Sequence, residues 1–263
     1  MKTVREMLGQ HSEDTFVGLG WNGREETQLE AATRLVASMV LLSELTGLQW
    51  WRDTEPLESR SAHFATVPPD VNAVADLLRE EVRLDWGETA SSFSAILSAT
   101  DPAEGEPALA QLHASVGSPV DKWNKVQISL SEDFPMGSPA QATRWFAELV
   151  RIWQPDFARL TNIAVLENRV FTRASYISWT SSNAYAEPET RMDVRFPFGD
   201  GTLSVARGWT VEGVTALDRE LESAGAPRLS KRPKKQDVPQ FPDALPAGLA
   251  ALDREVELAP QGA

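Results

Sequence analysis

The clearest pattern with a known chemistry is a run of three glycines near the N-terminus. Gly18, Gly20 and Gly23 spell G-x-G-x-x-G between an apolar run and a helical pattern. In dinucleotide sites, such glycines let backbone amides approach a pyrophosphate at the start of a helix. The motif therefore indicates a nucleotide-binding enzyme as one candidate function.

Four residues, in the motif and after it, argue against a phosphate cradle. Trp21 is a bulky residue inside the motif. Glu25 and Glu26 are expected in the first helical turn, where their carboxylates complement the helix dipole and repel a phosphate. Asp53 lies farther along than the roughly 20 residues expected of the acid that binds the ribose. The simpler interpretation is a strand end and a turn that glycine permits.

Other catalytic patterns are weak. The three histidines, at positions 11, 63 and 113, have neither H-x-x-x-H nor H-E-x-x-H spacing, and the chain has no cysteine. Some carboxylates are neighbours in sequence, but adjacent residues do not face each other on a helix. These pairs are Glu25/Glu26, Glu80/Glu81 and Glu132/Asp133. We therefore predict no catalytic residue, no metal site and no cofactor, and the nucleotide-binding enzyme stays the alternative.

Tryptophan is unusually frequent, with nine residues against two tyrosines. Trp50 and Trp51 cannot both point the same way on a regular element, so one of them is expected to be partly exposed beside Arg52 and Asp53. Tryptophan and arginine are typical anchors of protein interfaces. The alternative is that both tryptophans are core residues on either side of a bend.

A long helix behind Arg24-Glu25-Glu26 is predicted to be the central helix of the fold. Its apolar residues recur at three- and four-residue spacing, which predicts one buried stripe. The stripe consists of Leu29, Ala32, Leu35, Val36, Met39, Leu42 and Leu45. Capping residues predict three more helices, which begin at Asp70, Ser138 and Thr210. The first of these is expected to continue to Val82.

Alternation with a period of two predicts the strands. Three segments, 93–97, 110–116 and 126–130, are expected to form antiparallel strands of one sheet that is apolar on one side and wet on the other. Further strands are predicted at 163–166, 175–180, 192–196 and 202–206, with a hairpin turn at Gly199-Asp200-Gly201. The fold class is therefore α+β, a mainly antiparallel β-sheet with three to four amphipathic helices packed on it.

The composition changes after residue 226. Residues 1–226 are predicted to form a single α+β domain, and residues 227–263 a Pro-rich, partly basic tail that lies on the domain or stays mobile. A basic cluster in this tail is expected to bind either nucleic acid or the acidic body, and the charge argument favours the body. The cluster consists of Arg228, Lys231, Arg232, Lys234 and Lys235.

The formal net charge of -13 narrows the class of partner. It argues against a general nucleic-acid-binding or anionic-membrane protein and favours basic partners. The sequence also contains no apolar run long enough to span a bilayer, and its first residues lack the apolar segment of a secretory signal. We therefore expect a cytoplasmic protein without direct contact to nucleic acid or membrane.

Several motifs follow one another in an order that resembles a known family. The glycine-aromatic strand leads into Arg24-Glu25-Glu26 and the long helix, and Trp50-Trp51 comes soon after it. The most distinctive element is Trp153-Gln154-Pro155-Asp156-Phe157, and Trp179 and Gly199-Asp200-Gly201 complete the order. From about Thr15 to Ala224, the chain resembles the immunity protein 52 family of bacterial polymorphic toxin systems.

This resemblance implies an α/β cytoplasmic antidote that binds and neutralises a cognate toxin, commonly a nuclease with a restriction-endonuclease-like domain. It carries over no catalytic residue and no toxin-contacting position. A nuclease cleft is basic because it binds phosphates, so an acidic inhibitor is steered toward it. We predict a toxin-binding anchor of Trp50, Trp51 and Arg52, ringed by the acids Asp53, Glu25 and Glu26.

Overall fold

The structure is a computed structural model that describes residues 1–53, 64–85, 88–100, 108–119, 124–167, 174–182, 188–226 and 237–260. It confirms the predicted α+β class, because eleven strands form one large antiparallel sheet on which helices pack. The helices are α1 (Val4–Leu8), α2 (Gln28–Thr46), α3 (Val71–Leu77), α4 (Pro139–Trp153), α5 (Ile163–Glu167), α6 (Val211–Ser223) and α7 (Leu252–Glu255). Short 3-10 turns lie at Gly9–His11 and Leu249–Ala251.

The strands of the large sheet overlap every segment that the sequence predicted as a strand, except 163–166. They are β1 (Thr15–Trp21), β2 (Trp50–Asp53), β3 (Phe64–Val67), β4 (Arg79–Asp85), β5 (Glu88–Ala99), β6 (Ala110–Val116), β7 (Asn124–Leu130), β8 (Phe157–Asn162), β9 (Ile177–Ser181), β10 (Asp193–Phe198) and β11 (Gly201–Ala206). Their order is β10-β11-β9-β8-β1-β7-β6-β5-β2-β3, and β4 pairs with β5. Two short strands, β12 (Gly208–Trp209) and β13 (Glu257–Leu258), pair in parallel.

Strand β1 lies in the middle of the sheet, between β7 and β8. Val17 pairs with Ile128, which pairs with Leu112 in turn, and all three side chains are buried. The next row of the register carries the exposed side chains of Gln127 and His113. This alternation confirms the predicted apolar and wet faces along β6 and β7, whereas β1 is buried on both faces.

Helix α2 begins later than predicted. Thr27 is its N-cap and forms a capping box with Glu30, so Glu25 and Glu26 precede the helix instead of occupying its first turn. Leu29 was expected in the buried stripe but is 55% exposed. At about 100° per residue, Leu29 lies on the opposite side of the helix from the buried Leu42.

Two other predictions about elements are wrong. The helix capped by Asp70 ends at Leu77, and Arg79–Asp85 is the strand β4, which pairs with β5 along seven positions. Sheet pairing has overridden the helical spacing that predicted a helix to Val82. Residues 163–166, predicted as a strand, belong to α5, because the Asn162 side chain accepts a hydrogen bond from the Val165 amide and turns the chain into a helix.

The described part of the C-terminal segment, residues 237–260, lies on the domain. Leu249 and Leu252 are buried in the core, and Glu257 pairs with Gly208 in the small parallel sheet. The Asp253 carboxylate accepts a hydrogen bond from the Ala140 amide at 2.9 Å, at the start of α4. The basic cluster of residues 228–235 lies outside the described residues, and the boundary at 226 stays a prediction.

If residues 237–260 are part of the folded unit, Leu252→Ala will lower the free energy of unfolding by about 2–5 kcal/mol, because it opens a cavity in the core. Urea unfolding measures this loss. The matched control is Val238→Ala, at a side chain that is 37% exposed, which is expected to change stability by less than about 0.5 kcal/mol. Equal stability of the two variants would mean that the segment contributes nothing to the core.

Candidate functional site

Two segments that are far apart in sequence meet where β1 ends, and both carry motifs of the family resemblance. The Asp156 carboxylate accepts a hydrogen bond from the Asn22 amide at 2.8 Å, and the Asp156 amide donates to the Gly20 carbonyl at 2.9 Å. The indole of Trp21 stacks on that of Trp153 with 5.7 Å between ring centroids. The distinctive Trp153–Phe157 element therefore anchors the loop of residues 22–27.

Two arginines close the contact between this loop and the end of α4. Arg24 donates to the carbonyl oxygens of Trp153 and Gln154, at 3.1 and 2.6 Å. Arg34, from α2, donates to the same Trp153 carbonyl at 2.9 Å and to the Gln154 side-chain oxygen at 3.2 Å. These carbonyls carry the negative end of the helix dipole, so the two cations stabilise the C-terminus of α4.

Glu26 is the carboxylate between the two arginines. It is 6% exposed, and its Oε1 lies 3.2 Å from Arg34 Nη1 and 3.8 Å from Arg24 Nη1. Neither carboxylate oxygen has an aligned hydrogen bond from the described residues, and the two guanidinium groups donate to Trp153 and Gln154. Burial raises the pKa of Glu26, and the charges of Arg34 and Arg24 oppose that rise only in part.

The backbone of the loop is also fixed from the β6–β7 side. The Arg24 amide donates to the Ser118 carbonyl at 2.9 Å, and the buried Asn124 side chain donates to the Asn22 carbonyl at 3.2 Å. Gly117 has φ +85°, and a Cβ atom there would lie 3.2 Å from the Glu26 carbonyl. Only glycine suits both this conformation and this close approach.

A cavity of about 220 Å³ opens beside the loop. It is lined by Trp21, Asn22, Gly23, Arg24, Glu25, Asp156 and Val238. Burial raises the pKa of Asp156, whereas Glu25 is exposed. The hydrogen bonds at its base tie the loop to α4 and β8. The arrangement therefore holds the loop in place and presents Glu25 to solvent. The described parts of the chain contain no group of three side chains that could hold a metal ion.

Of the three motif glycines, Gly23 alone lies in the loop of residues 22–27. Gly18 and Gly20 are ladder positions inside β1, paired on both sides with β7 and β8. The helix begins only at Gln28, and the Glu30 amide of its first turn already donates to the Thr27 side chain. A dinucleotide cradle needs glycines in the turn itself and free amides at the helix start.

The structure does not bring the six predicted toxin-binding residues together. Glu25 and Glu26 precede α2, whereas Trp50, Trp51, Arg52 and Asp53 follow it in β2. The helix between them has 19 residues and is about 28 Å long. The expected ring of Glu25 and Glu26 around a tryptophan anchor is therefore not assembled.

The two adjacent tryptophans lie in different environments, as alternation in a strand requires. Trp50 is 2% exposed and donates its indole N–H to the Met39 carbonyl and the Ser43 hydroxyl, both at 3.0 Å. Trp51 is half-buried and Arg52 is exposed. Trp50 is thus a core residue that packs against α2.

Sequence reasoning assigned no role to Arg34 and Asn124, which hold the site from α2 and β7. Arg34 is the one cation among the 19 residues of α2, and this is the only signal that the sequence offers for it. Asp156 belongs to the distinctive Trp153–Phe157 element, but only the fold shows that the Asn22 amide is its partner.

No family model matches the chain, and no curated protein is significantly similar to it in sequence. One similar solved structure is the Pseudomonas aeruginosa T6SS protein PA0821, with a TM-score of 0.46 and 8% identity over 80% of this chain and 76% of that chain. So remote a likeness carries no conclusion about function, and the resemblance to the immunity protein 52 family stays a hypothesis. Among the described helices, none is long and apolar enough to cross a membrane.

Asp156→Ala is expected to lower the free energy of unfolding by about 1–3 kcal/mol, because the buried Asn22 amide loses its acceptor. Asp156→Asn keeps a side-chain oxygen for that amide, so its free energy of unfolding is expected to fall by clearly less than that of Asp156→Ala. Urea unfolding of both variants tests this difference. Equal losses would show that the hydrogen bond to Asn22 does not hold the loop.

Glu26→Gln tests the electrostatics of the site. Because the pKa of Glu26 is raised in the folded protein above its ordinary value of 4.5, ionisation costs more in the fold than in the unfolded chain. The wild type should therefore lose stability relative to Glu26→Gln as the pH rises above about 4.5, until Glu26 is fully ionised. Denaturant unfolding between pH 4 and 8 measures the difference in free energy of unfolding between the two proteins. A wild type that becomes more stable than Glu26→Gln as the pH rises would contradict the raised pKa of Glu26.

Proposed function

We propose that this protein is a non-enzymatic antidote that binds a basic toxin, expected to be a nuclease, and neutralises it. The observation that carries the proposal is the sign of the exposed charge around α2 and α3. Residues 22–49 and 64–78 expose five carboxylates, and their only two arginines, Arg24 and Arg34, lie half-buried beside Glu26. The exposed carboxylates are those of Glu25, Glu30, Glu44, Asp70 and Asp76.

These two helices present one continuous side of the molecule. Helix α3 packs on α2, and the Gln28 side chain donates to the Ala75 carbonyl at 2.7 Å. A surface whose exposed charges all have one sign attracts a partner surface of the opposite charge and raises the association rate constant. A nuclease has a suitable partner surface, because its cleft needs cations to bind phosphates.

The alternative function, a nucleotide-binding enzyme that uses Gly18, Gly20 and Gly23, has less support. Two of these glycines are hydrogen-bonded strand residues, and the helix that follows is closed by its own capping box. Acidic residues at its start would also repel a phosphate. The antidote hypothesis needs no cavity for a cofactor and uses the exposed charge directly.

Co-expression tests the proposed function. The toxin encoded by the neighbouring gene is expressed in a bacterial host with and without this protein, and the two chains are then purified together. We expect rescue of growth and a stable complex. Its association rate constant should fall several-fold when salt rises from about 0.05 to 0.5 M, because screening removes the electrostatic steering. If growth is not rescued and no complex forms, the proposal is overturned.

A further inference from the structure

The outer face of α2 exposes apolar side chains along three turns. Steps of four, four and three residues place Leu29, Thr33, Ala37 and Val40 on one line of the helix. Leu29 is 55% and Val40 41% exposed, and Thr33 is exposed as well. We call these four residues the α2 outer stripe.

The low charge of this helix is unusual for one at a surface. Of its 19 residues only Glu30, Arg34 and Glu44 are charged, and Arg34 turns inward to Glu26 and Trp153. Its buried side packs in the core through Leu35 and Leu42. A helix that is apolar on both sides is expected to be covered on both sides, and exposed apolar stripes mark interaction surfaces.

We propose that the α2 outer stripe is the docking surface for the basic toxin, an inference that rests on the proposed function. Glu30 and Glu44 lie near the two ends of the stripe, and Glu25 lies just before the helix. An apolar centre with a charged rim is the usual anatomy of a protein interface. The matching partner surface is an apolar patch framed by lysine and arginine.

A second copy of this chain fits the stripe less well. In a two-fold symmetric contact, the same patch meets itself. Parallel helices would place Glu30 beside its own copy, and antiparallel helices would place Glu30 near Glu44 of the other copy. Both arrangements bring carboxylates together, and like charges across an interface weaken it.

The wet face of the sheet is the contrasting surface. It also has an exposed apolar side chain, Ile96, which is 59% exposed. In the register, Ile96 pairs with His113, which pairs with Gln127, and the exposed Lys125 is nearby on the same strand face. The cationic Lys125 makes this face unsuitable for a basic partner. Ile96 is therefore a matched control for Leu29.

The test measures binding of the same toxin, with its nuclease activity inactivated, to four forms of the full chain by surface plasmon resonance. The forms are wild type, Leu29→Ser/Val40→Ser, Glu25→Lys/Glu44→Lys and Ile96→Ser. All changed side chains are exposed, so the folds should persist, and thermal unfolding confirms this. The serine double variant is expected to raise Kd about 10- to 100-fold, mainly through faster dissociation. The lysine double variant should lower the association rate constant and its salt dependence, and Ile96→Ser should stay within about two-fold.

The possible outcomes separate the two proposals. If the wild type binds the toxin and the serine double variant binds equally well, the docking surface is wrong and the antidote function stands. If the wild type does not bind, the toxin is not the partner, and both proposals are overturned. If sedimentation shows a wild-type dimer that the serine double variant abolishes, a second copy covers the stripe and the assignment of a basic partner is wrong.

Discussion

The fold around the candidate site depends on the hydrogen bond between the Asp156 carboxylate and the Asn22 amide. Residues 22–27 carry the chain from the central strand to α2 through a partly buried region, where each unbonded amide or carbonyl would cost free energy. Asp156, Asn124 and the Ser118 carbonyl satisfy these backbone groups. The direction in which α2 leaves the sheet is fixed as a result, and with it the side of the helix that faces solvent.

The same contacts determine the surface charge. Arg24 and Arg34 turn inward because the last carbonyls of α4 and the buried Glu26 attract them. A buried ion pair adds little net stability, but here it withdraws Arg34 of α2 and Arg24 of the preceding loop from the surface. The carboxylates of Glu30 and Glu44 face solvent, and Arg34 is the one cation of their helix. The internal network and the acidic exterior are thus two consequences of one arrangement.

The C-terminal segment supports this arrangement at both ends of α4. Asp253 accepts a hydrogen bond from an amide at the helix start, and the Pro239 carbonyl accepts one from Gln154 just past its end. Gln154 has a left-handed backbone with φ 48°, which a residue other than glycine adopts only under constraint. Its carbonyl and its side chain both bind groups of the site, and these bonds supply that constraint.

The sequence by itself determined the local features, because these depend on neighbours within a few positions. It determined the alternation of strands 110–116 and 126–130, the cap at Ser138, the hairpin at Gly199-Asp200-Gly201 and the excess of acidic charge. It could not determine that Arg79–Asp85 would pair with β5. The helical spacing of the charges in this segment is the same whether or not a neighbouring strand is available to form hydrogen bonds with its backbone. Only the tertiary structure decided that Asp156 meets Asn22, that Glu26 is buried and that Leu29 is exposed. Those outcomes depend on which segments pack together, and contacts between residues more than 100 positions apart leave no periodic signal in the chain.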